Sequence, residues 1–127
     1  MMLIREESTT PYVKLDKENC TLTIKGKSYP EHPTIFYTPI LNELKDCISS
    51  LGDVGITVNL ALEIMNSVST KYIYNIISNI SKTSNKIKIN WYYEEDDQDM
   101  EEEGQQLTTT FKNVKVKLIT TEDIRDL

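Results

Sequence analysis

Asn66, Ser67, Val68, Ser69, Thr70 and Lys71 place three hydroxyls, one amide and one ammonium where an alternating apolar run gives way to a helical pattern. The first amides of a helix have no intrahelical partners, so Asn66, Ser67 and Ser69 are all suited to cap them. The same amides and the positive end of the helix dipole also favour a phosphate. The junction therefore reads as a phosphorylatable regulatory surface rather than a catalytic pocket. The plain alternative for Ser67 is a helix cap, worth about 0.5 to 2 kcal/mol without any phosphate.

A second concentration of chemistry is the acidic run at residues 94–103. Carboxylates suit magnesium or calcium, and Asp96, Asp97 and Asp99 are the candidate ligands if the chain binds metal. The run lacks the glycine-centred spacing of a calcium loop, so a solvated face is the favoured reading, with steering of a basic partner as a further use. His32, the sole histidine, lies in a loop between Glu31 and Pro33 and is assigned no chemistry. The usual phosphate loop, paired histidines and nucleophile elbow are missing, which disfavours a hydrolase or kinase built on them. Cys20 and Cys47 lack metal-ligand spacing and read as structural.

The elements that must hold the junction follow from periodicity. Residues 1–9 read as a loosely held arm. Val13 and Leu15, then Leu22 and Ile24, alternate with polar residues around Asp16, Lys17, Glu18 and Asn19, which predicts a hairpin. Gly26, Pro30 and Pro33 make residues 26–33 a loop. A helix follows, with Thr38 as cap and Pro39 at its first position, or with Thr34 as an earlier start. Its apolar face is Tyr37, Ile40, Leu41, Leu44, Cys47, Ile48 and Leu51, and Gly52 with Asp53 ends it.

Ile56, Val58, Leu60, Leu62 and Ile64 then give the clearest strand signal, with Met65 on the opposite side. Beyond the junction, Ile73, Ile76, Ile77 and Ile80 predict a second helix with one buried stripe, broken at Thr83, Ser84 and Asn85. Ile87, Ile89, Trp91 and Tyr93 form another strand, and an exposed Tyr92 could anchor a partner. The acidic run becomes a loop and a short helix, Val114, Val116 and Leu118 a closing strand, and residues 120–127 a polar tail. The fold expected is a single α/β (α+β) domain over residues 1–127: a mixed sheet of about five strands with both helices on one face. The other face is left open, with Thr57, Asn59, Lys88 and Asn90 as candidates to line it.

A chain of 127 residues can bury a core unaided. No apolar run approaches the roughly 20 residues that cross a bilayer. A net charge of −6, with lysines spaced apart in probable strands, argues against nucleic acid as the main partner. With no signal peptide, a reducing cytoplasm is the expected compartment.

Four blocks of residues carry a resemblance as well. Gly26-Lys27-Ser28-Tyr29-Pro30-Glu31-His32-Pro33, Phe36-Tyr37-Thr38-Pro39, the junction from Asn66 to Lys71, and Trp91-Tyr92-Tyr93 followed by acidic residues to Asp99-Met100 together resemble the SiaC family of bacterial regulatory phosphoproteins. The resemblance implies a non-enzymatic switch without a cofactor, folded like the anti-sigma-factor antagonist (STAS-like) domains. It implies phosphorylation by a dedicated Ser/Thr protein kinase, removal of the phosphate by a PP2C-type phosphatase, and binding of the unphosphorylated form to a diguanylate cyclase. The family's acceptor follows an asparagine, which places it on Ser67, with Ser69 and Thr70 as rivals. Ser67 stands where the family has threonine, and Val68 where it has a small hydroxyl residue. The partner surface implied includes Asn66, Ser67, Val68, Lys71, Tyr92, Asp96 and Asp97. A constitutive interaction module without the switch, or a metal-binding protein using the acidic run, are the alternatives.

Overall fold

The computed structural model describes residues 1–51, 55–83 and 86–127. The expected helix stop at Gly52 and Asp53, the side chain of Leu51, and Ser84 and Asn85 of the later break lie outside the described residues. Wherever apolar and polar residues alternate, the chain is extended: β2 (Tyr12–Asp16), β3 (Thr21–Ser28), β4 (Ile56–Met65), β5 (Ile87–Glu94) and β6 (Lys115–Thr121). A short strand, β1 (Met2–Ile4), precedes them and completes a six-stranded sheet in sequential order. β1, β2 and β3 pair antiparallel, whereas β3, β4, β5 and β6 run parallel. Each parallel step encloses a helix: α1 (Pro33–Leu51), α2 (Ser67–Ser81) and α3 (Gln98–Thr110).

All three helices contribute to one apolar cluster against one sheet face, through residues such as Ile40 and Leu44, Ile73 and Ile77, and Met100 and Leu107. Leu22, Ile24, Val58, Leu60, Ile89 and Trp91 are the sheet's buried contribution. Thr57, Asn59, Lys88 and Asn90 lie on the opposite, more accessible face, as the single apolar stripe on each helix requires. The mixed α/β architecture is thus the expected one, with one strand and one crossover more than the sequence suggested.

Several local expectations are corrected. The first residues are not a loose arm at their start, because Met2 and Ile4 pack on the core and β1 pairs with β2. The last eight are not simply a tail. Thr120 and Thr121 finish β6, and a 3-10 turn (Ile124–Asp126) folds back, anchored by Ile124 at 1% exposure. The first helix starts at Pro33 rather than after Thr38, so Pro39 falls inside it, where its missing amide forgoes a bond to the carbonyl four residues earlier. Residues 26–28 belong to β3 and not to a loop.

Gly26 at φ +114° marks an irregularity in that strand. It pairs with Leu62, but Lys27 pairs with Ile64, so β4 carries one extra residue, Glu63. The alternation flips there. Ile64, expected in the core, is turned out to 50% exposure, and Met65 pairs with Ser28.

The lysines also rearrange. Separated along the chain, Lys88 and Lys115 become direct neighbours in the β5–β6 register, with Lys117 next along β6 beside Asn90.

Candidate functional site

β4 ends at Met65 and α2 begins at Ser67, leaving Asn66 between them in extended conformation (φ −84°, ψ 170°). Its Oδ1 accepts the Ser69 amide at 2.9 Å, and its carbonyl accepts both the Thr70 amide and the Thr70 hydroxyl at 3.1 Å. Its own amide donates to the Ser28 carbonyl at 3.2 Å. Asn66 is therefore the cap, tied to β3 on one side and to the first helical turn on the other. Ser67, at the first helical position, is exposed and not needed for that job.

The three hydroxyls of the junction have separate fates. Ser69 is sealed at 0% exposure, and its hydroxyl accepts from Ser28 Oγ at 2.8 Å. Ser28 in turn is hydrogen-bonded to the Tyr37 hydroxyl. With the Ser28 proton directed at Ser69, the Tyr37 hydroxyl is the donor of that second bond. Burial pushes the Tyr37 phenol above its ordinary range, against the opposing effect of the Ser28 and Ser69 bonds. Tyr37 stacks on Tyr72 at 5.5 Å, and Tyr72 is hydrogen-bonded to Thr34. This cluster fastens the start of α2 to α1 and β3. Thr70 is half-buried, with its hydroxyl donated to the helix backbone. Of the three, only Ser67 presents an exposed alcohol, whereas Ser69 is buried.

Around Ser67 the surface is apolar and cationic. Val68, the next residue, is 40% exposed, while the extra Glu63 pairs the exposed Ile64 with Lys27 at the end of β4. Lys71 is exposed one helical turn beyond Ser67, on the same side of α2. The first turn of α2 holds no acidic residue, so a phosphate there would meet uncompensated amide dipoles.

The carboxyl end of the neighbouring strand carries the acidic residues. Asp97 caps α3, accepting the Met100 amide at 3.1 Å, while Asp96 stands exposed in the turn before it. α3 rests close on the sheet at Gly104, where a Cβ would fall 2.6 Å from Trp91 Cδ1. Trp91 Nε1 donates to the Met100 carbonyl at 2.9 Å. Burial, then the bond to Glu101, raises the Tyr93 phenol. A groove of about 460 Å3 runs between Met65 and the α3 residues Asp99, Glu102, Glu103 and Gln106.

The structure thus gathers Asn66, Ser67, Val68 and Lys71 in one segment, and sets Asp96 and Asp97 after the same, carboxyl end of the neighbouring parallel strand. Tyr92 is apart from them, on the open face, in register with Ala61 and Ile119. Ile64 and the Met65 groove were missed, although Gly26 in the adjoining strand was a signal for an irregularity. Among the described residues, no three His, Cys, Asp or Glu side chains are placed to hold a metal ion, and no helix is long and apolar enough to cross a membrane.

A mixed sheet covered by helices on one face, with an exposed alcohol at a strand–helix junction, defines a single domain of the α/β class. Residues 4–121 match the model for SiaC family regulatory phosphoproteins, and the chain belongs to that family. The fold is also that of solved SiaC structures from Pseudomonas aeruginosa. One chain of the diguanylate cyclase SiaD complex with its activator SiaC superposes with a TM-score of 0.88 at 16% identity, covering 95% of this chain and 100% of that one. Apo-SiaC gives a TM-score of 0.80 at 16% identity, covering 93% and 97%. No curated protein matches the sequence.

Proposed function

We propose that this chain is a non-enzymatic, phosphorylation-controlled binding protein whose unmodified junction docks on an effector protein. The effector is a diguanylate cyclase, by analogy with the SiaC that activates SiaD. Ser67 is the switch: a cognate Ser/Thr kinase phosphorylates it, and a PP2C-type phosphatase restores it. The observation that carries this reading is the division of labour at the junction. Asn66 caps, Ser69 is buried, and Ser67 is left exposed beside apolar Val68.

Docking of such a surface removes Ser67 from water. A phosphate there adds roughly two negative charges, whose desolvation opposes contact, while Lys71 and the free amides of α2 stabilise the modified, undocked form. Asp96 and the exposed carboxylates of α3 add charge that steers a basic effector towards the same end of the sheet. Co-purification of the effector with wild-type, Ser67→Ala and Ser67→Glu chains tests the reading. Retention by alanine and loss with glutamate is the expected pattern, and equal capture by both would favour a constitutive interaction module.

A further inference from the structure

The sheet face away from the helices carries two neighbouring rungs of side chains. One runs Tyr12, Lys25, Ala61 and Tyr92 from β2 to β5. In the next, Asn90 Nδ2 donates to Asn59 Oδ1 at 2.8 Å, and Asn59 Nδ2 donates to Thr23 Oγ1 at 3.3 Å. The second rung is thus a hydrogen-bonded polar ladder across three strands. In the first, Ala61 leaves only a methyl group between lysine and tyrosine. A hollow of about 560 Å3 opens above it, inside the size range of small-molecule sites. Tyr12 and Tyr92 stand three strand spacings apart, roughly 14 Å, which leaves room for one flat ring system.

The mouth of the hollow shows what chemistry fits. The closing turn reaches it, and Leu127 is among the residues that line the hollow. Lys25 Nζ donates to the Arg125 carbonyl at 3.5 Å and to a backbone oxygen of Leu127. Leu127 thereby lines the hollow and gives an oxygen to its lysine. Glu6 is also at the rim, its carboxylate reaching so close to Gly26 that a Cβ there would lie 2.7 Å away.

We propose that this hollow is a binding site for a small apolar carboxylate, whose body lies over Ala61 between the two tyrosines and whose carboxylate takes the place of the Leu127 oxygen on Lys25. Glu6 adds a partner for an ammonium group, which favours an apolar amino acid over its deaminated counterpart. Lys25 is the recognition residue, and Ala61 is the space the ligand fills.

Amide chemical-shift mapping of the full chain with L-tryptophan, L-leucine and indole-3-acetate tests this. Saturable shifts are expected at Thr23, Asn59, Ala61 and Tyr92, larger for the amino acids at equal concentration. Lys25→Met should weaken binding about tenfold or more through loss of a charged hydrogen bond, and Ala61→Leu should abolish it by filling the hollow. Should Ala61→Leu fail to fold, Lys25→Met decides alone, because its side chain is half-exposed and not part of the core. Shifts for none of the probes up to their solubility limit, shifts confined to other residues, or binding unchanged by Lys25→Met in a folded chain would each overturn the proposal.

Discussion

Asn66 Oδ1 holds the Ser69 amide at 2.9 Å, and that bond releases Ser67 from any structural duty at the start of α2. Capping falls to Asn66, which leaves the adjacent Ser67 for the proposed modification. Asn66→Ala should cost about 0.5 to 2 kcal/mol of stability by orphaning first-turn amides. Ser67→Ala, at an exposed position, should stay within about 0.5 kcal/mol of wild type. Urea unfolding of the two variants measures the contrast, and a larger loss for Ser67→Ala would assign the cap to the wrong residue.

Ser69 belongs to the buried hydroxyl cluster with Ser28 and Tyr37. Ser69→Ala leaves the Ser28 hydroxyl without its acceptor, a loss of about 1 to 3 kcal/mol. Phosphopeptide mapping of Ser69→Ala should still find the modification at Ser67. Disappearance of the phosphate from a folded Ser69→Ala chain would contradict that assignment.

Gly104 is set by close approach, since a Cβ would also come within 2.7 Å of Leu118 Cδ2. Alanine ordinarily favours a helix by about 1 kcal/mol over glycine. Here the overpacking against buried Trp91 is the larger effect, and Gly104→Ala should destabilise by about 1 to 3 kcal/mol net. A raised urea midpoint for Gly104→Ala would show that α3 can lift from the sheet without cost.

Stability should fall in alkali. Burial, aided by neighbouring Cys47, pushes the Cys20 thiol up from 9.0 to about 12. Burial likewise raises Tyr37, Tyr74 and Tyr93. A raised acid keeps its proton in the folded state while the unfolded chain loses it, so stability is full below the unfolded pKa and declines above it. For Cys20 the decline spans pH 9.0 to about 12. Thermal melts across that range should show a falling midpoint, with a shallower slope in Cys20→Ala measured against its own neutral-pH value.

Much of this was legible in the sequence because the period of apolar residues is strong in β4, α2 and β5, and each reports its buried face directly. The mixed sheet with helices on one face followed from those stripes. What was not legible depends on partners distant in sequence. The extra residue at Glu63 exists only in the register between β3 and β4, and it moved Ile64 from the expected core to the surface. The folding back of the closing turn rests on one isolated apolar residue, Ile124, whose amide finds Glu94 Oε2 at 3.0 Å. At the site, the composition of the junction was readable, but the roles of Asn66, Ser67 and Ser69 were not. Which hydroxyl is buried depends on Ser28, 41 positions away from Ser69.

The most direct test compares the affinity of the cognate diguanylate cyclase for the unmodified chain and for the chain carrying phosphoserine at position 67, by titration calorimetry. Binding of the unmodified chain, weakened at least about tenfold by the phosphate, is the predicted result, a change of about 1.4 kcal/mol or more. Equal affinity of the two forms, or binding by neither, would contradict Ser67 as the switch of a docking surface.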